Sequence, residues 1–407
     1  MYVNPFWSYR RVAEAVAITN HLTGATEPFP ADVIETIVAA GASDDVAADA
    51  GTVARLRDMN VLFDDRNSAI TWFAEVERTA QVARPIVDQI ELTNRCPYSC
   101  KMCPRTSSMS RSLGDMDFEL FARICEQISG NQQYVALHHF GESLLHRQLP
   151  DMVRHATRKN LATGLSCNPP SLKAALAARL LDAGIASLVL SFDSLDPASY
   201  RDIRGPAADV DRAIANIDAL VRLRDAGRYP TAITVQLIHM RDNADETERF
   251  LAFCRDHGVD RGVVVRLGRW DFSDEKTETL GSFDTPLYQG FCLRPQQSIV
   301  VLWDGRVVAC CHDYDGILVL GDLNKQSLDD VWASAAAVKF RHESHDTALC
   351  RNCAFSRTFR ETRQQHLGIP RFHRDQHSGV GRVEYLSPRW RERPNLRLFD
   401  GFDVLAT

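Results

Sequence analysis

The sequence predicts an α/β protein whose largest domain is an open, partial barrel of six β-strand–α-helix units. Between residues 86 and 267, short runs rich in Val, Ile and Leu alternate with longer segments of helical pattern. This alternation is typical of a parallel sheet covered by helices. Six units are too few to close an eight-stranded barrel. The content of 45% hydrophobic and 25% charged residues is ordinary for a globular protein.

The six strands are predicted at IVDQIELT (86–93), YVALHHF (134–140), ATGLSC (162–167), SLVLSF (187–192), AITVQLIHM (232–240) and GVVVRL (262–267). Helices are predicted between them at 117–128, 171–184 and 209–227. Asp117 and Ser171 are expected to cap helix starts, and Gly184, Gly227 and Gly258 to end helices. In such a fold, functional residues gather at the C-terminal ends of the strands.

Residues 1–82 predict a small winged-helix-like α+β module. Helical patterns occur at 31–40 and 47–59, followed by a predicted hairpin of 60–65 (NVLFDD) and 68–73 (SAITWF). The module is interpreted either as a cap that packs on the barrel or as a peptide- or partner-binding wing. Its few basic residues argue against DNA binding.

Charge and hydropathy narrow the class of protein. The net charge is −6 and the arginines are scattered, so nucleic-acid binding is not expected. No apolar run is long enough to cross a bilayer, and the start MYVNPFWSYRRV lacks a signal-peptide core. We therefore expect a cytoplasmic protein with no membrane contact. In that reducing compartment, eleven cysteines favour metal binding or catalysis over disulfides.

Three of those cysteines lie together after the first strand, as Cys96, Cys100 and Cys103 in a C-x3-C-x2-C spacing. Three thiolates on one loop suit three corners of a 4Fe–4S cube, which leaves one iron open to a small molecule. A structural zinc ion usually takes four ligands, so zinc would need a distant fourth ligand.

This triplet and the motifs at later strand ends resemble the radical S-adenosylmethionine (SAM) superfamily. Those motifs are Gly141-Glu142-Ser143 (preceded by Phe140 instead of the family's glycine), Ser166-Cys167-Asn168, Ser191-Phe192-Asp193-Ser194, and Tyr200 with Arg204-Gly205. The resemblance covers about residues 86–355 and implies a partial (βα)6 TIM-like barrel. It implies a SAM-binding 4Fe–4S cluster on the three cysteines and a flavodoxin- or ferredoxin-type electron donor. It also implies cofactor contacts by Tyr98, Met102, Gly141, Glu142, Ser166, Asn168, Ser191, Asp193 and Arg204.

A second cysteine set, Cys292, Cys310, Cys350 and Cys353, resembles the twitch form of the SPASM auxiliary-cluster domain. The surrounding sequence predicts a β-hairpin turning at Trp303-Asp304-Gly305-Arg306 and a helix near 327–340. No cysteine follows Cys353, so one auxiliary 4Fe–4S cluster is expected, with a zinc site as the alternative. Cys311 is left over, as a buried thiol or a hydrogen-atom donor. The expected domains are 1–82, 83–285 and 286–360, followed by a tail at 361–407 that is expected to wrap the surface.

The SPASM/twitch pattern is similar to that of radical SAM dehydrogenases of aminoglycoside and aminocyclitol biosynthesis. That resemblance implies a radical that takes hydrogen from a carbinol carbon of a small polar substrate, and an auxiliary cluster that accepts an electron as the ketone forms. Arg266, Arg269 and Trp270 would line the substrate pocket, and Arg266 or Arg269 would hold or help to deprotonate the hydroxyl. The alternatives are modification of a precursor peptide by crosslinking or epimerisation, and a redox-neutral sugar epimerase in which Cys311 donates hydrogen.

Overall fold

The structure is a computed structural model of the chain. It describes residues 2–3, 7–12, 15–20, 25–30, 32–33, 37, 49–267, 280, 294–344, 347–351 and 383–392. Among these residues, no helix has the length and apolar character needed to span a membrane.

The described part of the N-terminal unit includes five strands and two helices with defined bounds. These are β1 (Tyr2–Val3), β2 (Trp7–Val12), β3 (Ala15–Asn20), β4 (Thr26–Pro30), α1 (Ala50–Asp58), β5 (Leu62–Phe63) and α2 (Arg66–Ala80). Strands β2, β3 and β4 form an antiparallel sheet, and β1 pairs with β5. Ile18 of β3, Phe29 of β4 and Leu56 of α1 share a separate apolar core.

The predicted second strand of the hairpin, residues 68–73, is wrong because this segment lies within α2. The Asp65 carboxylate caps the helix by accepting a hydrogen bond from the Ser68 amide at 2.8 Å. Ala69 and Phe73, one helical turn apart, are both buried. The sheet of β2–β4 was not predicted, and the winged-helix detail is not confirmed. The predicted helix at 31–40 lies mostly outside the described residues.

The six predicted barrel strands are confirmed. They are β6 (Ile86–Ile90), β7 (Tyr134–Ala136), β8 (Ala162–Cys167), β9 (Ser187–Ser191), β10 (Ala232–His239) and β11 (Arg261–Arg266). Each pairs in parallel with the next in chain order, so their C-terminal ends lie at one edge of the sheet. This edge is where the three-cysteine loop begins.

Helices cover one face of these strands. They are α3 (Pro104–Ser107), α4 (Phe118–Ile128), α5 (Leu149–Arg158), α6 (Ala174–Ala183), α7 (Pro197–Arg204), α8 (Val210–Ala226) and α9 (Thr247–Asp256). Asp117 caps α4 as predicted, and Gly184 ends α6 in a left-handed conformation with φ 91°. The predicted cap at Ser171 is wrong: Lys173 occupies the N-cap position of α6, and Ser171 belongs to a 3-10 turn.

The C-terminal region extends the sheet at both edges. Its elements are α10 (Arg294–Gln297), β12 (Ser298–Val301), β13 (Arg306–Val308), β14 (Val319–Asp322), α11 (Leu328–Ala333), α12 (Ala335–Glu343), α13 (Ala348–Arg351), β15 (Val383–Leu386) and α14 (Pro388–Glu392). Strand β12 pairs in parallel with β6, and the predicted hairpin to β13 turns at Gly305 with φ 89°. Strand β15 pairs antiparallel with β11, which completes a ten-stranded sheet.

Helix α14 packs near the N-terminal ends of β10 and β11. Trp390 is buried against Ala232, and the Arg261 guanidinium lies 5.3 Å from the centre of its ring. Ala232 and Arg261 stand near the starts of their strands, on the face opposite the helix-covered core. The C-terminal segment therefore closes this end of the sheet.

Removing the Trp390 ring should destabilise the barrel. We expect Trp390→Ala to lower the free energy of unfolding by about 3 kcal/mol, because a buried indole is replaced by a cavity. Urea titration followed by circular dichroism measures the change. Ile317→Ala, at a side chain that is 64% exposed, is the matched control and should change little. An equal effect of the two substitutions would contradict this packing role.

Candidate functional site

The three-cysteine loop follows β6 and is fastened to the end of α7. The amides of Ser99 and Lys101 donate to the carbonyl oxygens of Arg204 and Ile203 at 3.1 and 2.9 Å. Gly205, with φ 90°, lies so close that an added Cβ would come within 2.1 Å of the Ser99 Oγ. Backbone contacts thus hold the loop beside the strand ends.

Within the loop, side-chain and backbone contacts gather the thiols. The Arg105 guanidinium donates to the carbonyl oxygens of Cys96 and Tyr98 at 3.1 and 2.9 Å. The Cys103 amide donates to the Cys100 carbonyl at 3.1 Å. All three cysteines belong to one apolar cluster that also includes Met102 and Met240.

The donor set fits an iron–sulfur cluster. Burial raises the pKa of Cys96 to about 12 and that of Cys100 to about 11. Buried thiols become thiolate ligands only when a positive group compensates the charge, and bound iron does so. The Arg204 guanidinium contributes at one thiol, since its nitrogen lies 3.8 Å from the Cys100 Sγ.

In the part of the chain that the structure describes, no three His, Cys, Asp or Glu side chains converge closely enough to hold a single metal ion. The choice of a cubane over zinc for the three-cysteine loop rests on the C-x3-C-x2-C spacing in the sequence. A zinc ion draws its ligands onto one centre, whereas a 4Fe–4S cube binds each thiolate through a different iron.

Four of the predicted cofactor residues form one buried polar network. The Glu142 carboxylate accepts from the backbone and side-chain amides of Asn168 at 2.8 and 2.9 Å. The side-chain oxygen of Asn168 accepts a hydrogen bond from Arg204 at 2.8 Å, and Arg204 in turn pairs with Asp193 at 2.6 Å. The network joins the ends of β7, β8 and β9 to the cysteine loop.

The network fixes the direction of its acidic groups. Burial raises the pKa of Glu142, while the hydrogen bonds from Asn168 and Leu144 oppose that rise. The other oxygen of Asp193 accepts from the Ile238 amide at 2.8 Å. These contacts leave two oriented carboxylates and an amide next to the thiols, which suits recognition of a ligand with an ammonium group.

Two loops pack so closely at Gly141 that the position has no room for a side chain. A Cβ added there would come within 2.0 Å of the Thr93 carbonyl oxygen, which is a backbone atom. The next residue, Glu142, donates its amide to the Arg95 carbonyl at 2.8 Å. The loop after β7 therefore lies directly against the residues that precede Cys96.

The remaining predicted cofactor residues lie nearby, at or beside the strand ends. Ser166 and Ser191 face each other with 3.3 Å between their hydroxyl oxygens. The Tyr98 hydroxyl pairs with that of Ser171 at 2.8 Å, and Met102 is buried. The structure brings these residues to one edge, while their contacts with a cofactor stay a prediction.

His138 joins this group although the sequence did not single it out. Its Nδ1 accepts a hydrogen bond from the Ser166 amide at 3.0 Å. Burial lowers its pKa to about 4, so the ring is neutral and its Nε2 carries the proton. The side chain therefore offers a hydrogen-bond donor beside Ser166.

The second cysteine set is described only in part. Cys310 is half-buried and its Sγ accepts from the His312 amide at 3.4 Å, while Cys350 is buried. Cys311 is buried against Val300, Leu302 and Val308. The predicted ligands Cys292 and Cys353 lie outside the described residues.

The predicted substrate residues are also beyond the described part of the chain. Arg269 and Trp270 fall outside it, and Arg266 is described only through its backbone, which pairs in register with His239. Their roles stay predictions.

Sequence reasoning missed a buried ionic cluster at the ends of β6 and β7. The Arg111 guanidinium makes two hydrogen bonds to the Glu91 carboxylate, at 2.7 and 2.8 Å, and both side chains are almost fully buried. His139 Nδ1 lies 3.4 Å from Glu91, and its Nε2 contacts the Cys311 carbonyl at 3.0 Å. A glutamate inside the apolar run IVDQIELT is the signal that could have drawn attention to it.

Two family models match the chain. The radical SAM superfamily model matches residues 90–254, and the SPASM iron–sulfur cluster-binding domain model matches residues 292–354. The first match contains the three-cysteine loop and the polar network. The second contains the second cysteine set.

The individual relatives share less than a third of their aligned residues with this chain. The chain is similar to a tungsten-containing aldehyde ferredoxin oxidoreductase cofactor-modifying protein of Pyrococcus furiosus, with 24% identity over 62% of this chain and 82% of that protein. It is similar to a PqqA peptide cyclase of Streptomyces rochei, with 31% identity over 44% of this chain and 48% of that protein. Streptococcus suis SuiB, bound to its precursor peptide SuiA, aligns with a TM-score of 0.53 and 14% identity, covering 86% of this chain and 93% of SuiB. The last similarity concerns the fold alone.

The Gly141 packing predicts a specific defect. We expect Gly141→Ala to displace the backbone at Thr93 and to reduce iron retention by the three-cysteine loop, because the clash is with backbone that cannot rotate away. Iron content and SAM affinity of the anaerobically purified protein measure the defect. Gly51→Ala, in α1 of the N-terminal unit, is the control. Wild-type iron content and SAM affinity in the Gly141 variant would refute the close-packing argument.

Glu91 predicts a pH dependence of stability. Burial acts to raise its pKa, but the hydrogen bonds from Arg111, with the nearby His139 ring, outweigh burial and lower it from 4.5 to about 2. A carboxyl with a depressed folded-state pKa stabilises the fold above its ordinary pKa, and this contribution is lost as the pH falls from 4.5 towards about 2.

The check compares thermal midpoints of wild type and Glu91→Gln from neutral to acidic pH. The variant should be less stable at neutral pH, by about 3 kcal/mol, because Arg111 loses its buried partner. Its stability should also fall less on acidification. Glu75→Gln, which breaks an exposed pair with Arg78, should have a small effect. Parallel pH curves for wild type and Glu91→Gln would show that Glu91 does not cause the dependence.

Proposed function

We propose that this chain, a radical SAM enzyme that contains a radical SAM domain followed by a SPASM domain, oxidises an alcohol carbon of a small polar substrate. The radical SAM domain implies a 4Fe–4S cluster and SAM, and the SPASM domain implies auxiliary iron–sulfur binding. The observation that carries the proposal is a polar surface on the inner side of the strands.

This surface follows from the alternation of side chains along β7–β10. One set of alternate residues, including Leu165, Leu188 and Val235, packs apolar against the helices. The residues between them include seven polar ones, Tyr134, His138, Ser166, Ser187, Ser191, Thr234 and Gln236, beside small or apolar residues such as Ala136, Gly164 and Val189. We call these seven residues the polar inner face. Hydroxyl and amide groups at this density suit a substrate with several hydroxyl or amine groups.

When bound, the first cluster with SAM supplies a 5′-deoxyadenosyl radical that removes hydrogen from carbon, and the auxiliary cluster supplies an acceptor for one electron. An alcohol that loses a hydrogen atom from carbon, a proton from oxygen and one electron becomes a ketone. Protein residues must therefore hold the reacting carbon and assist the hydroxyl proton as it leaves to water.

We assign the roles as follows. Cys96, Cys100 and Cys103 hold the first cluster, and the network of Glu142, Asn168, Arg204 and Asp193 orients SAM. Gly141 contributes its close backbone, Tyr98 and Met102 would supply an apolar wall, and Ser166 and Ser191 would offer hydroxyl groups to SAM. Glu142 suits the SAM ammonium group because its carboxylate is already oriented by two amide donors.

On the substrate side, His138 donates a hydrogen bond to a substrate oxygen. Its Nδ1 is occupied by the Ser166 amide, so it does not accept the hydroxyl proton. Arg266 or Arg269 holds the hydroxyl and assists its deprotonation.

Cys292, Cys310, Cys350 and Cys353 would hold one auxiliary 4Fe–4S cluster, and a flavodoxin- or ferredoxin-type protein would deliver electrons. In this proposal residues 83–285 form the catalytic domain, 286–360 the auxiliary-cluster domain, and 1–82 and 361–407 accessory segments, in a cytoplasmic enzyme.

A second candidate is modification of a precursor peptide. It is favoured by similarity to proteins named PqqA peptide cyclase, at 24–31% identity in several bacteria. The SuiB fold also extends over most of this chain. In this alternative the N-terminal unit would bind peptide and the product would be a crosslinked or epimerised residue.

The test begins with anaerobic reconstitution, which should give about eight iron and about eight sulfide per chain, from two cubane clusters. Incubation with SAM and dithionite should then yield 5′-deoxyadenosine. Aminocyclitol glycosides and short peptides encoded beside the gene are compared as substrates by mass spectrometry. A loss of two hydrogens from an aminocyclitol, with one 5′-deoxyadenosine per ketone, supports the proposal. A crosslinked peptide with no aminocyclitol oxidation would replace it with the second candidate.

Cys311 separates oxidation from epimerisation. Cys311→Ser should retain ketone formation, because oxidation needs no hydrogen donor at sulfur. An epimerase would instead lose turnover in this variant and would incorporate solvent deuterium without net oxidation in the wild type. Cys254→Ser, at a buried cysteine of α9, controls for the loss of a core thiol.

A further inference from the structure

The segment 110–115 touches both of the loops that carry the predicted clusters. It leaves the three-cysteine loop and returns towards α4, and it contacts both the residues that follow β6 and the turn of the β12–β13 hairpin. One set of its contacts is with the residues just before Cys96, and the other is with the loop that follows Cys310. We call residues 110–115 the splint.

On one side the splint binds residues just before Cys96. The Asn94 side chain donates to the Ser112 carbonyl and accepts from the Gly114 amide, both at 2.8 Å. The Thr93 hydroxyl donates to the Gly114 carbonyl at 2.9 Å. These bonds fix the start of the three-cysteine loop.

On the other side the splint binds the loop that follows Cys310. The Arg111 Nε donates to the Tyr314 carbonyl at 2.7 Å. The Asp315 carboxylate accepts from the Ser110 amide and hydroxyl, at 2.6 and 2.7 Å, and from the Arg111 amide at 3.1 Å. Gly114 lies directly on the Trp303 ring, because an added Cβ would come within 2.3 Å of it.

Glu91 contacts both the splint and the turn of the β12–β13 hairpin. Its carboxylate takes two hydrogen bonds from Arg111 and one from the Trp303 amide at 3.2 Å. His139 lies between Glu91 and the carbonyl of Cys311, the residue next to Cys310. A buried bidentate pair of this kind is costly to break and defines one geometry.

We propose that the splint and Glu91 set the separation and orientation of the two cluster loops, with Arg111 as the positioning residue. Electron transfer between two redox centres slows steeply as their separation grows. The proposed oxidation needs an electron to leave the substrate for the auxiliary site, so small displacements there matter more than for SAM cleavage at the first site. This consequence rests on the proposed function, whereas the geometric statement does not.

The test uses Arg111→Met and Asp315→Asn in the reconstituted full-length enzyme. The matched control is Arg84→Met, which breaks an exposed pair with Asp329 between the same two regions, away from both cluster loops. The first readout is electron paramagnetic resonance of the fully reduced protein, through the effect of one cluster on the spin relaxation of the other. We expect this effect to change in both splint variants at unchanged iron content, and to stay at the wild-type value in the control.

The second readout is the amount of ketone formed per 5′-deoxyadenosine. It should fall on the order of tenfold in Arg111→Met, while 5′-deoxyadenosine formation without substrate is retained. Arg111→Lys keeps the charge and one donor and should recover part of the yield. Should Arg111→Met fail to fold, Asp315→Asn decides alone, because Asp315 lies near the surface.

Wild-type spin relaxation in folded splint variants would overturn the proposal. If the splint variants change spin relaxation but the wild-type enzyme forms no ketone, the role of the splint is supported and the proposed oxidation is rejected. These two outcomes distinguish a failure of the splint from a failure of the proposed function.

Discussion

A single buried arginine holds the candidate site together. Arg204 ends α7, pairs with Asp193 after β9, donates to Asn168 after β8 and approaches the Cys100 thiol. Its carbonyl oxygen also accepts from the Ser99 amide of the cysteine loop. Removing its partners would leave a charge buried in apolar surroundings, which costs several kcal/mol. The helix, two strand ends and the loop therefore depend on one another.

The barrel was predictable because its signals are local. Each strand is a short apolar run beside turn residues, and Asp117 and Gly184 mark helix ends through contacts within a few residues. In the N-terminal unit, the local sequence signals contradict one another. The run 68–73 contains β-branched and aromatic residues that favour a strand, yet Asp65 caps it as a helix whose buried Phe73 lies one turn from Ala69. Capping and burial outweighed the β-propensity of Ile70, Thr71 and Trp72.

The site was predictable where it rests on spacing and not where it rests on distant pairs. The C-x3-C-x2-C triplet and the strand-end motifs are continuous in sequence, and the structure brings Glu142, Asn168, Asp193 and Arg204 into contact. The Glu91–Arg111 pair joins residues 20 positions apart, and the Asp315 contact with Ser110 spans 205 positions. Ser171 matches a helix cap by composition, but its hydroxyl pairs with Tyr98 instead. Such pairings appear only once the strands are in register.

The two ends of the polar inner face differ in a way that constrains how a substrate reaches it. Near the strand starts, Trp390 of α14 packs on Ala232 and Arg261, so this end is covered by the protein's own chain. At the strand C-terminal ends the inner face meets the cysteine loop and the Glu142–Arg204 network. In the proposed reaction the substrate must therefore meet the radical at the end that carries the predicted cofactor residues. A substrate entering there would contact His138 and Ser166 beside the SAM site. The reacting carbon would therefore be held at the mouth of the barrel, and the deeper residues Tyr134 and Ser187, which hydrogen-bond to each other at 3.3 Å, would support the walls.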